Sequence, residues 1–586
     1  MRVLLLHPED DFNGSWKKER WDRVVDLGRA PRSFYEERSG EFGCPVSSIY
    51  DLALETMDVR IWRELFAIGM GRVVDRFGLD WWDIIGLLLQ EKMQDVRLAA
   101  RLAKKIGEDS SLTASRSSLV ASAVQLQLGT RMRVLQSGLD ARWRNRASRY
   151  RAALRNLSLD QLRQVAYDKF DPHYGWRRRF ARGVERRPGP VVLLPTAYSN
   201  VTRTALNYAR CLPEQKFLLV VARESAAALE VPANVQMVSL AAFANGRSDP
   251  QEMGELESRW VELEGLLEKH PEFSLPVRLG IVRSGIESLR RGISVRDAWN
   301  QVFKNFAVTG CLCADDTNPY TRIPLILAKR HEIAAVACHH GALDSRMGFK
   351  VPEFSTYLAQ GEMERDYLEN ACGVDGSRIR IGAAGARERL GRLWSDDAPR
   401  IVFFTEPYET DFWRTRAIYR EVLPRLCDAA RQCGKTVLLK LHPFETVTQR
   451  KRLVEEILGK DLQGIKITAA PISIEMLRSA WCAVTVESTV ASECAAAGIP
   501  AFLCGWLRHA YCGYMEQFAR FGVGRILESA NDLLRIPELV PSTRPGSDVA
   551  TLLSQSITAD VLAEALSTPV VHPDGVAGAI QISSIA

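Results

Sequence analysis

Residues 482–500 read "CAVTVESTVASECAAAGIP": an apolar run that breaks at Glu487-Ser488-Thr489 and continues in small residues to Gly498 and Pro500. The run predicts a buried strand. The residues after the break predict a short helix that starts at Ser488 or Thr489 and stops at Gly498, with Ala495, Ala496 and Ala497 allowing close approach to a sheet. Such a turn aims backbone N–H groups and the positive helix end beyond the strand, and the two hydroxyls add donors, so Ser488 and Thr489 are candidates for holding an anion. Glu487 would repel a phosphate and is expected to hold ribose or sugar hydroxyls instead. A capped structural turn explains the same text, so the neighbouring sequence has to decide.

Outward from this stretch the same rhythm recurs. "RIVFFTE" (400–406), "KTVLLKLHP" (435–443), "IKITAA" (465–470) and "PAFLCGW" (500–506) are strand-like, with helical text at 413–432, 449–458 and 474–480. An earlier cycle holds "PVVLLP", "KFLLVVA", "VQMVSLA", "VTGCLCADD", "AAVACHHG", "TYLAQG" and "RIRIGAAG", most of them separated by helical text. Short β-branched apolar runs alternating with helices predict parallel sheets covered on both faces. The first ~140 residues add a strand, "MRVLLLH", helical text at 61–77 and 81–106, and two strand-like runs, "DSSLTAS" and "TRMRVLQ", around "SSLVASAVQLQL". The expected fold class is therefore α/β, with two doubly wound Rossmann-like units preceded by an N-terminal α/β unit carrying a helical insertion. The expected boundaries are 1–140 for that unit, 141–189 for a basic helical linker, 190–395 for the first doubly wound lobe and 396–586 for the second.

Composition narrows the class. A chain of 586 residues, 46% apolar and 25% charged, is of ordinary globular make-up and long enough for several cores. Its twelve cysteines form no C-x-x-C pair, which favours buried thiols over zinc and suits a cytoplasmic chain. The apolar run at the N-terminus is too short for a signal peptide, and no segment approaches the ~20 apolar residues that span a bilayer. The net charge of +6 concentrates between Arg142 and Arg187, where arginines interleave with Trp143, Tyr150, Trp176 and Phe180. A solvated helical linker and a face resting on an anionic membrane surface both fit this segment. Nucleic-acid binding does not, because no recognised module accompanies it.

In doubly wound sheets ligands bind beyond the carboxyl ends of the strands, so the residues that end each run are the functional candidates. The second cycle ends its strands on Glu406, on Lys440, His442 and Glu445, and on Glu487, Ser488 and Thr489. Strand alternation puts Lys440 and His442 on one face, where a cation and an imidazole would hold a diphosphate and donate to the leaving phosphate. A His-Pro turn capping backbone groups is the alternative. The first cycle ends strands on Asp315 and Asp316 and on His339 and His340, which are candidates for a general base, the aspartates equally for helix N-terminal acids. Adjacent strand residues point apart, so no metal site is expected at the histidine pair. There is no P-loop, no G-x-G-x-x-G at a first βα turn and no G-x-S-x-G elbow.

"KLHPFE", "VESTVASECAAAGIP" and "HHGALD" together resemble motifs of GT-B glycosyltransferases of the bacterial capsule and surface-polysaccharide type, the group of Kdo transferases, bacterial sialyltransferases and CDP-glycerol polymerases. The resemblance runs from about Val191 to Leu534. It implies a metal-independent transferase that needs no cofactor beyond a nucleotide-sugar co-substrate and passes the sugar to a surface-glycan or lipid-linked acceptor, in the cytoplasm or at the inner membrane face. It further implies that Lys440, His442, Ser488 and Thr489 contact donor phosphate, that Glu487 holds ribose or sugar, and that His340 or Asp316 is the base. The E-x7-E spacing of many retaining enzymes is absent, since Ala495 stands eight residues after Glu487. Nucleotide-sugar 2-epimerases share the architecture and act on the donor alone, whereas a non-catalytic scaffold would bind no nucleotide.

Overall fold

The computed structural model describes residues 1–8, 10, 12, 14–53, 59–135, 166–167, 169–171, 174–180, 184, 189–228, 230–244, 249–314, 318–339, 354–385, 391–406, 412–442, 445–460, 462–507 and 514–569. Within them the strands form three sheets in which every pairing is parallel. The N-terminal sheet contains β1 (Arg2–Leu6), β2 (Arg23–Asp26), β3 (Val46–Ser48), β4 (Ser111–Ala114) and β5 (Met132–Val134), in the order β3-β2-β1-β4-β5. The middle sheet contains β6 (Pro190–Thr196), β7 (Phe217–Val221), β8 (Val235–Ser239), β9 (Ala307–Cys313), β10 (Ala334–Cys338), β11 (Thr356–Ala359) and β12 (Ile379–Ile381), in the order β12-β11-β10-β9-β6-β7-β8. The C-terminal sheet contains β13 (Arg400–Phe404), β14 (Thr436–Lys440), β15 (Ile465–Thr468), β16 (Ala480–Thr485), β17 (Ala501–Cys504) and β18 (Arg525–Leu527), in the order β15-β14-β13-β16-β17-β18.

Every sheet thus reverses direction of growth between its first and fourth strands, so the N-terminal unit is doubly wound as well. The strand bodies explain why the sheets are parallel and covered. β7, β10 and β17 are buried at every residue, as expected where helices cover both faces. The two successive doubly wound units expected from the strand rhythm are present.

The N-terminal unit shares its core with the middle sheet. Its helix Trp81–Ile106 buries Trp81 and Trp82 completely, within one apolar cluster that also takes in Val3 and Leu5 of β1, Leu193 of β6 and Trp299. Gly292, in the helix Gly285–Asn305, makes room for this contact, since a Cβ there would lie 2.3 Å from the Trp81 ring. A buried polar cluster pins the same junction: Arg296 of that helix reaches Asp75 and Glu252 at 2.7 and 2.6 Å. Arg322 adds a bond to Asp83 at 2.6 Å.

The chain also returns from the C-terminal sheet. Ala383 bridges Ser556, and the helix Ala559–Ser567 then places Leu562, Ala565 and Leu566 in the core around Val192, Leu312 and Val336 of the middle sheet. Gly310 lets it dock, because a Cβ there would lie 2.6 Å from the Leu566 carbonyl oxygen.

The basic segment 142–187 is described only in part, and Trp143 and Tyr150 lie outside the described residues. Within the described part Arg177 is buried, paired with Asp171 at 3.1 Å and stacked on Tyr174, while Arg178 and Arg179 are exposed. No helix among the described residues is long and apolar enough to cross a membrane.

Candidate functional site

In each doubly wound sheet the crevice opens where the strand order reverses, beyond the carboxyl ends of the two central strands. In the C-terminal sheet those strands are β13 and β16, with β14 on the far side of β13. Phe404 pairs with Lys440 and Phe403 with Val484, so the three strands stop nearly level and present Glu406, His442 and Glu487 side by side.

Glu406 ties the two central strand ends together. Its Oε1 accepts the Thr485 hydroxyl at 2.9 Å and the Glu487 amide at 2.6 Å. Burial pushes this carboxyl up to about 7, the charge of Glu487 adds to the effect, and the hydrogen bonds partly oppose it. The loop that the sequence nominates for phosphate therefore already seats a carboxyl group of the protein, on the amide of Glu487. The adjoining helix begins as expected, at Val490 after Thr489, and spans Val490–Ala496, with Gly498 in the left-handed region at φ +75. The Ser488 hydroxyl accepts the Val490 amide at 3.4 Å.

A pH effect arises from Glu406. The usual carboxyl value is 4.5 and the folded value about 7, so between them the folded chain keeps a proton that the unfolded chain has released. Stability contributed below the lower value is lost as pH rises through the upper one. Glu406→Gln keeps an acceptor for the Glu487 amide and cannot ionise, so it should remove about 1–3 kcal/mol of this loss between about pH 5 and 8. Glu364 is also pushed up to about 7 by burial and titrates in the same window, which makes the difference between variant and wild type the informative quantity. Identical pH dependence of hydrogen exchange over residues 480–496 in variant and wild type, after correction for intrinsic exchange, would show that Glu406 is already ionised in the fold.

Lys440 and His442 are brought close but not in the manner that alternation implies. β14 ends at Lys440, and its buried ammonium turns back to donate to the Leu441 carbonyl, so only the half-buried His442 is presented beyond the strand. Burial lowers the pKa of both; Glu445 opposes this in each case, and Lys440 lowers His442 further. Burial thus favours the uncharged imidazole of His442. Glu445, expected at the donor, instead turns inward. It accepts the His442 amide at 2.9 Å and Arg450 Nε at 2.7 Å, and it is bonded to the Thr405 hydroxyl. It positions the turn that carries His442. Pro443 and Phe444 lie outside the described residues.

In the middle sheet the crevice lies between β6 and β9. Asp315, Asp316 and His340 lie outside the described residues, and His339 sits half-buried after β10. The helix Pro319–Arg330 is capped by Asn318, whose Oδ1 accepts the Tyr320 amide at 2.9 Å. Sequence reasoning passed over the surroundings of this cap. Tyr198 follows β6, Arg223 follows β7, and Asn318 donates to the Tyr198 hydroxyl at 2.8 Å.

No protein-family model matches the chain, and neither does any curated protein. Among solved structures, MurG of Acinetobacter baumannii is 10% identical, with 65% of this chain and 99% of that one covered and a TM-score of 0.38. A structure described as a putative UDP-N-acetylglucosamine 2-epimerase from Listeria monocytogenes is 12% identical over 64% of this chain and 92% of its own, with a TM-score of 0.37. SsfS6, a glycosyltransferase of Streptomyces sp. SF2575, is 11% identical over 64% and 98%, with a TM-score of 0.35.

Proposed function

We propose that the chain is a glycosyltransferase that moves a sugar from a nucleotide-activated donor to a surface-glycan or lipid-linked acceptor. The observation that carries the proposal is the C-terminal switch point, where the imidazole of His442 and the carboxyl groups of Glu406 and Glu487 end three adjacent strands. Carboxylates at Glu406 and Glu487 suit the hydroxyls of ribose and sugar. His442 suits the phosphate, and Lys440 supplies positive charge behind it.

In the transfer the acceptor hydroxyl attacks the anomeric carbon and the bond from that carbon to the phosphate oxygen breaks. The hydroxyl proton passes to a base of the middle sheet, and the nucleotide departs with the added charge on its phosphate. A hydrogen bond from His442 that strengthens as this charge develops lowers the barrier. Positioning by this chain's own side chains, without a metal ion, is part of the proposal, and turnover in the presence of EDTA checks it.

The deciding experiment is a thermal-shift panel of CMP, CDP, UDP, GDP and dTDP, since selective binding to the folded chain raises its stability by mass action. One nucleotide class should stabilise the protein, and His442→Ala should weaken its binding or cut turnover about tenfold or more, roughly the value of one charge-assisted hydrogen bond. A panel without any shift would remove the proposal. Incubation with donor alone separates transfer from epimerisation, because only an epimerase converts the sugar without an acceptor.

A further inference from the structure

The Glu406 carboxyl is held by one of its two oxygens. Oε1 takes both hydrogen bonds, from the Thr485 hydroxyl at 2.9 Å and from the Glu487 amide at 2.6 Å. The Ser488 amide adds a weaker pull, its own bond running to Thr485 Oγ1 at 3.4 Å. Oε2 accepts no hydrogen bond among the described residues, and because the residue is half-buried this oxygen is not sealed in the core. β13 and β16 are the two central strands, so Oε2 stands at the mouth of the C-terminal switch point.

This one-sided grip decides where a proton sits. Oε1 already spends its lone pairs on two donors, so the O–H of the protonated acid is on Oε2. Burial pushes the carboxyl up to about 7, and the charge of Glu487 adds to the rise. Below that value the strand end presents an O–H donor in place of a negative charge. The other titratable groups on the surrounding elements are Glu487 after β16, Cys504 of β17, Glu493 of the helix Val490–Ala496, and Lys440, His442 and Glu445 at the end of β14. His442, lowered by burial, titrates on the acid side of Glu406, and the buried Cys504 thiol titrates on the alkaline side.

An ionised carboxylate at this position would repel a phosphate, whereas the protonated acid binds one through a charge-assisted hydrogen bond. We infer that Glu406 is a phosphate ligand that works in its protonated form, with Oε2–H donating to an oxygen of the donor's phosphate alongside His442. The inference rests on the proposed transfer and changes one part of it: Glu487 stays with the hydroxyls of ribose and sugar, while Glu406 turns to the phosphate. Binding then takes up a proton wherever the free side chain has released it. Affinity is therefore fully present below about pH 7 and falls as the pH rises through that value.

Calorimetry of the full chain with CMP, CDP, UDP, GDP, dTDP and inorganic pyrophosphate, at pH 6 and pH 8 in buffers of different ionisation enthalpy, tests this. For the ligand that binds, wild-type affinity should fall about tenfold from pH 6 to pH 8 relative to Glu406→Gln, the effect of one group titrating at about 7. The comparison cancels the titration of the ligand's phosphate and of His442. Glu406→Gln keeps an oxygen for the Thr485 and Glu487 donors and places an NH2 where Oε2 stands, so it mimics the protonated acid and should lack the alkaline loss. At pH 8 the wild type should take up about one proton more than the variant on binding. Hydrogen exchange over residues 480–496 checks that the variant keeps the loop, and infrared difference spectra read the proton without any variant. The C=O band of a protonated carboxyl should grow when the ligand binds wild-type protein at pH 8.

Equal pH dependence in the two proteins, or wild-type binding at pH 8 without the protonated-carboxyl band, overturns the inference. If loop exchange differs in Glu406→Gln, the infrared band decides. Nucleotide binding without proton uptake defeats this inference alone. Pyrophosphate binding with proton uptake, when no nucleotide binds, defeats only the transfer reaction, and binding of neither defeats both.

Discussion

Arg296→Ala is expected to lower the opening free energy of the helix Trp81–Ile106 by about 3–5 kcal/mol, the cost of stranding buried charge. The Arg296 side chain is fully buried, as is that of Asp75. Its guanidinium meets Asp75 at 2.7 Å, Glu252 at 2.6 and 2.9 Å and Asp297 at 2.7 Å, and lies 4.6 Å from the Phe77 ring centroid. Asp75 also accepts the amides of Phe77 and Leu79 and the Trp81 indole N–H, so it shapes the turn entering the helix. Removing Arg296 leaves two buried carboxylates that, among the described residues, keep the half-exposed Arg76 and backbone or indole donors to compensate. Hydrogen exchange of residues 81–106 is the measurement, because a multi-domain chain gives no single unfolding free energy. Arg296→Met combined with Asp75→Asn and Glu252→Gln should recover much of the loss, since the charges of Asp75 and Glu252 are then gone and the carboxylate that loses its guanidinium, Asp297, is partly exposed. Equal exchange in Arg296→Ala and wild type would mean that the apolar junction around Trp81 and Trp82 holds the N-terminal unit alone.

The contrast between that cluster and the sheets shows what a linear sequence makes legible. Strands buried on both faces appear as unbroken apolar runs, so β7 and β10 of the middle sheet can be read from "KFLLVV" and "AAVAC". β2 holds only Val24 and Val25 between Arg23 and Asp26, and β3 and β18 are three-residue strands at sheet edges, so none of them produces a run. Missing β2 and β3 hid the fact that the N-terminal unit is doubly wound too. Candidate site residues were legible where a strand end and a sharp turn coincide, as at His442 and Glu487. Their side-chain directions were not, because alternation holds only while the strand lasts and β14 stops at Lys440. Arg296 with Asp75, and Tyr198 with Arg223 and Tyr320, join positions far apart in the chain, and no local pattern announces such pairs.

Glu445→Ala should have the largest effect at the crevice of the C-terminal sheet, although Glu445 itself faces away from it. The Glu445 side chain is 2% exposed, and its two oxygens serve Arg450 on one side and the His442 amide and Thr405 hydroxyl on the other, with Lys440 close enough for its charge to be felt. Alanine leaves an Arg450 that is only 15% exposed without this partner, and removes an acceptor from the His442 amide. The expected loss is about 2–4 kcal/mol, at or below the usual range for a broken buried pair because water still reaches part of the guanidinium. Losing the carboxylate also removes the charge that opposes the lowering of both Lys440 and His442, so both should titrate lower still. Under the proposed function the turn carrying His442 then moves, and a displacement of about 1 Å costs roughly 100-fold in turnover. Glu445→Gln separates the causes: it retains an oxygen for the His442 amide while its NH2 replaces the oxygen that faced Arg450, so it should hold the turn and keep turnover closer to wild type while losing the ion pair and showing the titration change. Nucleotide affinity, turnover and hydrogen exchange of residues 436–458 measured on both variants check this. An alanine variant with wild-type stability and nucleotide affinity would show that the turn is held by its backbone alone, through the Glu445 amide on the His442 carbonyl at 2.9 Å.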